Sequence, residues 1–241
     1  MLDLPFLADT MTKLLAAVPT TLALFGLSVS GGAVLAIGLA MMRVSGNPFL
    51  DRPARAYIYV FRGSPLLIQM FLLYYGLSQF PAVRHSFAWP VLRDPFACAT
   101  ISLALCTGGY AAEIFRGGIL SVPAREVEAA RSIGMSGVLL WRRIIAPIAL
   151  RQALPAYSTE IILMVKSTAL ASLVTVWEVT GVAQRIIAQT YRSMEVFLCA
   201  ALIYLVLNFI IARIVALIEY RLSPHLRPRP DTTAARTANA A

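Results

Sequence analysis

Between residues 14 and 42 the chain carries no charged side chain. About 20 apolar residues are enough to cross a bilayer as a helix, so this one run settles the solvent before it settles the fold. Three more charge-free runs follow, at 63–83, 95–112 and 196–212. A fifth stretch, 156–177, is apolar apart from Glu160 and Lys166 and reads as a helix with its polar residues turned inward. Composition agrees: 59% of residues are hydrophobic and 14% charged, against roughly 45–50% and about 25% in soluble domains. The expectation is an all-α integral membrane protein with about five transmembrane helices.

The net charge of +9 comes almost wholly from arginine. In a membrane chain such an excess reports cytoplasmic loops rather than a nucleic-acid partner. With the N-terminus outside, the inner segments collect Arg43, Arg52, Arg55 and Arg62, then six arginines between 116 and 151, then four beyond 220. The outer segments hold only Lys13, Arg84, Arg93, Arg185 and Arg192. The imbalance predicts an outside N-terminus and an inside C-terminus.

Residues 1–223 are expected to form one transmembrane domain, and 224–241, rich in Pro, Thr and Ala, a disordered cytoplasmic tail. The first run is too long for a signal-peptide core and should stay on the protein. Cys98, Cys106 and Cys199 all sit in apolar segments, which supports neither a disulfide framework nor a metal site. His85 and His225 are isolated and receive no role.

The inner loop 113–155 is far longer than the usual connection of about 4–6 residues. Its part from 121 to 155 reads as two short helices on the cytoplasmic face. Ser121 is placed to cap the first, Pro123 fits its opening turn, and Gly134 stops it. Arg125, Glu128 and Arg131 fall three apart and can pair in turn. The second helix starts at Ser136 and should bend or break at Pro147. By composition alone, this loop would also suit a surface helix held at the headgroups.

Glu128-Ala129-Ala130, three residues, Gly134, and then Ile144 and Pro147 resemble the EAA loop of type I ABC-transporter permeases. Ala146 stands where leucine is usual. Arg62-Gly63-Ser64-Pro65-Leu66-Leu67-Ile68-Gln69, Tyr110 to Ile119, and Lys166-Ser167-Thr168-Ala169-Leu170 are similar to the second, third and fourth helices of polar amino-acid permeases. The later part of the chain is most similar to the histidine, arginine and opine branch, including the M-type subunits of octopine and nopaline uptake. The resemblance implies a bacterial inner-membrane permease subunit coupled through Glu128, Ala129, Ala130 and Gly134 to two ATP-binding subunits. It further implies a periplasmic substrate-binding protein and a second, distinct permease chain.

A P-loop requires a glycine-lysine step, and neither Lys13 nor Lys166 follows a glycine. The chain is therefore not expected to be an enzyme or to hold a cofactor; ATP and magnesium belong to the partner. A rival of another class is an ion-coupled secondary transporter working as a homomer. Its usual mark, an inverted repeat, has no counterpart among the motifs.

Glu160 is the leading candidate for the ligand, because a carboxylate within an apolar span requires a cation or a wet cavity. Lys166, six positions on, lies about 120° around the helix and is out of register for pairing. Met164 and Ser167, at four and seven, share the Glu160 face. Lys166 is left with two roles, structural pairing or binding a substrate carboxylate, and Gln69 with two, ligand contact or an interhelical hydrogen bond. Glu113 and Arg116, three apart, suit a local ion pair.

Overall fold

A computed structural model describes residues 3–222. The expected tail, 224–241, lies outside the described residues. Among those described, every regular element is helical.

Helix α1, Leu4–Val44, contains the whole first apolar run and continues beyond it at both ends. Asp3 caps it by accepting from the Phe6 N–H. Helix α2, Pro48–Gly63, opens with Asn47 accepting from the Phe49 N–H. The chain then bends by 106° into α3, Leu66–Gln79. Pro65 has no N–H to continue the ladder of α2, and it forces Ser64 into an extended conformation, φ −112° and ψ 146°. The second apolar run is thus not one straight helix from residue 63. α3 alone is about 21 Å long, shorter than the roughly 30 Å hydrocarbon layer, so it spans only together with the bent α2. Counting that pair as one crossing, the described residues hold five candidate spans.

Two four-residue turns, Pro81–Arg84 and Trp89–Leu92, lead to α4, Pro95–Leu120, which Asp94 caps through the Ala97 N–H at 2.8 Å. Helix α5 is Ala124–Ser132. Ser121 does not cap it: its hydroxyl turns back and donates to the Gly118 carbonyl at 2.7 Å, and Pro123 occupies the capping position without a side-chain bond. A hydroxyl at the end of one helix finds that helix's free carbonyls nearer than the next helix's amides. Gly134 does end α5, with φ +85°. The Gly134 and Met135 amides close on the Arg131 and Ala130 carbonyls, the paired bonds of a Schellman turn.

The expected break at Pro147 does not occur. Helix α6 runs from Gly137 to Val174, so the second cytoplasmic helix and the fourth span are one continuous rod. A widened π turn over Trp141–Ile145 comes just before the proline, which lacks an N–H and crowds the carbonyl four residues back. α6 tightens to a 3-10 helix over Thr168–Val174 and stops at Thr175, whose φ is +64°. Two further helices follow, α7 (Val179–Thr190) and α8 (Ser193–Leu222). The first of these was not legible as a separate element.

α1 is the spine of the bundle. Along it lie three core clusters: one around Leu14, Val165, Val179 and Val196, one around Leu24, Met70, Leu103 and Met164, and one around Ala36, Ile58 and Ala111. α4 packs along α1 at very close range, for a Cβ on Gly32 would lie 2.4 Å from Thr107 Cγ2. α4 meets α6 as tightly, since a Cβ on Gly118 would lie 2.5 Å from the Ala149 carbonyl oxygen. On α8 large apolar side chains such as Leu205 and Phe209 remain more than 60% exposed, as lipid-facing residues do.

Candidate functional site

A cavity of about 510 Å³ opens where α3, α4 and α6 converge. Leu66 reaches it from α3, Cys106 and Tyr110 from α4, and Glu160, Met164, Lys166 and Ser167 from α6. The i, i+4, i+7 stripe read from the sequence therefore lines one wall. Lys166 reaches the same space from outside that stripe, on a long and exposed side chain.

Glu160 is half-buried, and its Oε1 accepts from the Thr107 hydroxyl at 3.0 Å. No ion pair joins it to Lys166 among the described residues, in keeping with their angular separation. Thr107 is itself fully buried, pressed against Gly32 of α1. Close α1–α4 packing thus sets where the carboxylate's one donor stands. Sequence reasoning missed Thr107; its only signal was a hydroxyl within an apolar run, next to Gly108 and Gly109.

Gln69 does not line the cavity. Its Nε2 donates to the Phe61 and Ser64 carbonyls, each at 2.9 Å, and so binds the last turn of α2 across the bend. The bend exposes carbonyls that no backbone N–H can reach, and a buried amide four residues into α3 is the nearest donor.

A polar cluster closes the end of the bundle near the α1–α2 turn. Glu113 accepts from Arg116 at 2.8 Å, the local pair expected from their spacing, and from Arg43 of α1 at 3.1 Å. Arg43 also pairs with Asp51, which accepts from Arg55 at 2.7 Å. Three helices are tied by carboxylates that each serve two guanidinium groups.

At the other end stands Glu178, a residue to which the sequence assigned no role. It is fully buried. Oε1 accepts from the Gly181 N–H at 2.8 Å, capping α7, and Oε2 accepts from the Tyr204 hydroxyl at 2.5 Å. Thr180 donates in turn to that hydroxyl at 3.2 Å. The Val179 N–H is held by Thr21 of α1 at 3.2 Å, so α7 is fastened to both α1 and α8.

In α5, Glu128 and Ala129 are exposed, as is Gly134. Ala130 is not: it is buried, and α5 packs against the π turn of α6. The small size of Ala130 serves packing within the chain, so the outward face of α5 is carried by Arg125, Glu128 and Ala129. Arg125, Glu128 and Arg131 form no ion pairs with one another among the described residues. Exposed pairs of this kind gain little and lose side-chain freedom. Among the described residues, no group of three or more His, Cys, Asp and Glu side chains is placed to hold a metal.

A bundle of membrane-length helices around a cavity with one carboxylate, bearing a short exposed helix closed by a glycine, is the architecture of a membrane permease. The chain belongs to the family of binding-protein-dependent transport system inner membrane components, whose family model matches residues 32–224. It is 56% identical to the octopine transport system permease protein OccM of Rhizobium radiobacter, over 96% of this chain and 94% of that one. It is 42% identical to the histidine/lysine/arginine/ornithine transport system permease protein HisM of Escherichia coli strain K12, over 88% of this chain and 89% of that one. A crystal structure of an amino acid ABC transporter with histidines superposes with a TM-score of 0.80 at 32% identity, covering 92% of this chain and 99% of that chain. The protein is thus a permease subunit of an ABC importer in the inner membrane and not itself an enzyme. Such a subunit works with an ATPase and a substrate-binding protein.

Proposed function

We propose that this chain forms the translocation path of an importer for basic amino acids or opines, with Glu160 receiving the cationic end of the ligand. The observation that carries the reading is the state of Glu160: a carboxylate in a membrane cavity, with one hydroxyl donor and no ion-pair partner among the described residues. A carboxylate accepts about four hydrogen bonds, so this one keeps capacity for an ammonium or guanidinium group. Lys166, on the same cavity and in no ion pair among the described residues, suits the ligand's carboxylate. Met164 and Ser167 complete the wall, and Gln69 supports it from behind by holding the bend. Names borne by the relatives, an octopine permease and a histidine/lysine/arginine/ornithine permease, agree with this charge pattern.

The N-terminus lies outside and the C-terminus inside, which puts the arginine-rich segments and α5 in the cytoplasm. The face of α5 bearing Glu128 and Ala129, ended abruptly at Gly134, docks on one of two ATP-binding subunits, where ATP with magnesium is hydrolysed. A second, distinct permease chain completes the pathway, and a periplasmic binding protein delivers the ligand.

The test is uptake of arginine and of citrulline, its uncharged analogue, by the reconstituted complex. Glu160→Gln keeps the shape and removes the charge. Arginine uptake is expected to fall by about 100-fold, the scale of losing a buried charge partner, with citrulline changed little. Equal losses for both ligands would show that Glu160 holds the structure instead.

A further inference from the structure

A second cavity, of about 520 Å³, shares Tyr110 with the first. Arg43, Arg55, Tyr59, Arg62 and Glu113 line it. The two cavities therefore meet at Tyr110. The Arg62 guanidinium sits over this ring, 5.2 Å from its centroid, and the Tyr110 hydroxyl donates back to the Arg62 carbonyl at 3.4 Å. Nearby, Gly109 allows close approach, since a Cβ there would stand 3.3 Å from Phe61 and 3.6 Å from the Arg62 Cγ. The bend held by Gln69 at Phe61 and Ser64 brackets Arg62 and aims it at α4.

Arg62 takes part in no ion pair among the described residues, whereas Arg43, Arg55 and Arg116, around the same basic end, all have carboxylate partners. Its guanidinium stands instead on the ring of Tyr110, a residue that also lines the Glu160 cavity. A guanidinium lying on an aromatic face is held by the ring quadrupole only at modest strength at an exposed site. Such a hold is easily exchanged for another position.

We infer that Arg62, stacked on Tyr110, is the partition between the Glu160 cavity and the basic inner vestibule, and that its charge sets how tightly a cationic ligand is held and how readily it leaves. The inference rests on Glu160 as the cation site. A ligand cation at Glu160 is opposed by the field of Arg62, so its binding is weakened relative to a neutral ligand of the same shape. Discrimination between cationic and neutral ligands therefore depends on Arg62 at the α2–α3 bend as well as on Glu160 and Lys166 of α6.

The readout is the ratio of arginine to citrulline affinity, measured by equilibrium dialysis on the purified whole complex without binding protein. Arg62→Gln is expected to raise that ratio by roughly ten-fold, the scale of removing one unit charge from partly screened surroundings. Arg62→Lys, which keeps the charge, is expected to leave it near the wild-type value. An unchanged ratio in Arg62→Gln, or equal losses for both ligands, would overturn the inference. Should Arg62→Gln fail to assemble, Tyr110→Leu releases the guanidinium toward Glu160 and is expected to lower the ratio; an unchanged ratio there overturns it equally. The cation-site reading is judged separately by Glu160→Gln: if that variant keeps the wild-type ratio, the reading itself has failed, whatever Arg62 does.

Discussion

Glu160 and Glu178 are both carboxylates within reach of the same helical rod, and their surroundings differ in one decisive way. Glu178 is sealed from solvent, with each oxygen taken by a protein donor, the Gly181 N–H and the Tyr204 hydroxyl. Glu160 is half-buried, has a single hydroxyl donor among the described residues and faces a cavity. Burial alone does not mark a ligand site in a membrane protein. What separates the fastener from the receptor is whether the protein has already met the carboxylate's hydrogen-bonding capacity.

The largest effect that would break this comparison is expected at Glu178. Glu178→Ala leaves the Gly181 N–H and the Tyr204 O–H buried without acceptors, which costs about 3 kcal/mol or more. Uptake of arginine and citrulline should vanish together, with a lower melting temperature of the complex; selective loss of one ligand would make Glu178 a receptor as well. Next comes Glu160→Gln, with its loss of about 100-fold for arginine and little change in melting temperature. Gly32→Ala probes the link between packing and site: the new methyl would displace Thr107 and with it the donor to Glu160. Overpacking of this kind costs about 1–3 kcal/mol. The variant should lose arginine affinity on top of stability, whereas Gly38→Ala, where the space is open, should lose neither.

The smallest expected effect is at the far end. Asp3 accepts from the Arg192 guanidinium at 2.9 Å, and this bond, with the Phe6 amide, holds its carboxyl below the ordinary value of 3.8. A lowered carboxyl stabilises the fold above the unfolded-state value and loses that contribution as the pH falls through the folded-state value. Asp3→Asn should therefore lower the melting temperature slightly at neutral pH, and the two proteins should converge as the pH falls through the lowered folded-state value. A gap that persists at acid pH would mean that the cap on α1, and not the ion pair, is what the carboxylate provides.

Much of this was legible in the chain. The apolar runs mark the membrane helices because hydrocarbon thickness is a length, and a length can be counted along a sequence. The positive φ at Gly134 follows from a local requirement that glycine meets most easily. The separation of Glu160 from Lys166, and its alignment with Met164 and Ser167, follow from helical rotation alone. Local geometry also misled: Ser121 had the right spacing for a cap, and Pro147 the usual properties of a helix breaker.

Those two positions show where local rules end. A hydroxyl chooses between competing backbone groups, and the widened turn over Trp141–Ile145 carries α6 past its proline. The same holds for Ala130, turned inward by its packing on α6, and for Gln69, drawn to the carbonyls of a bend. The sequence by itself determined the solvent, the helical type, the number of membrane spans to within one bend, and the stripe bearing Glu160. Only the tertiary structure decided which polar groups are spent and which are free: Thr107 on Glu160, Tyr204 on Glu178, Arg62 on Tyr110. Each of those partners lies on another helix, tens of residues away, and no periodicity records such a meeting, because it is the packing of one helix on another that brings the two groups within bonding distance.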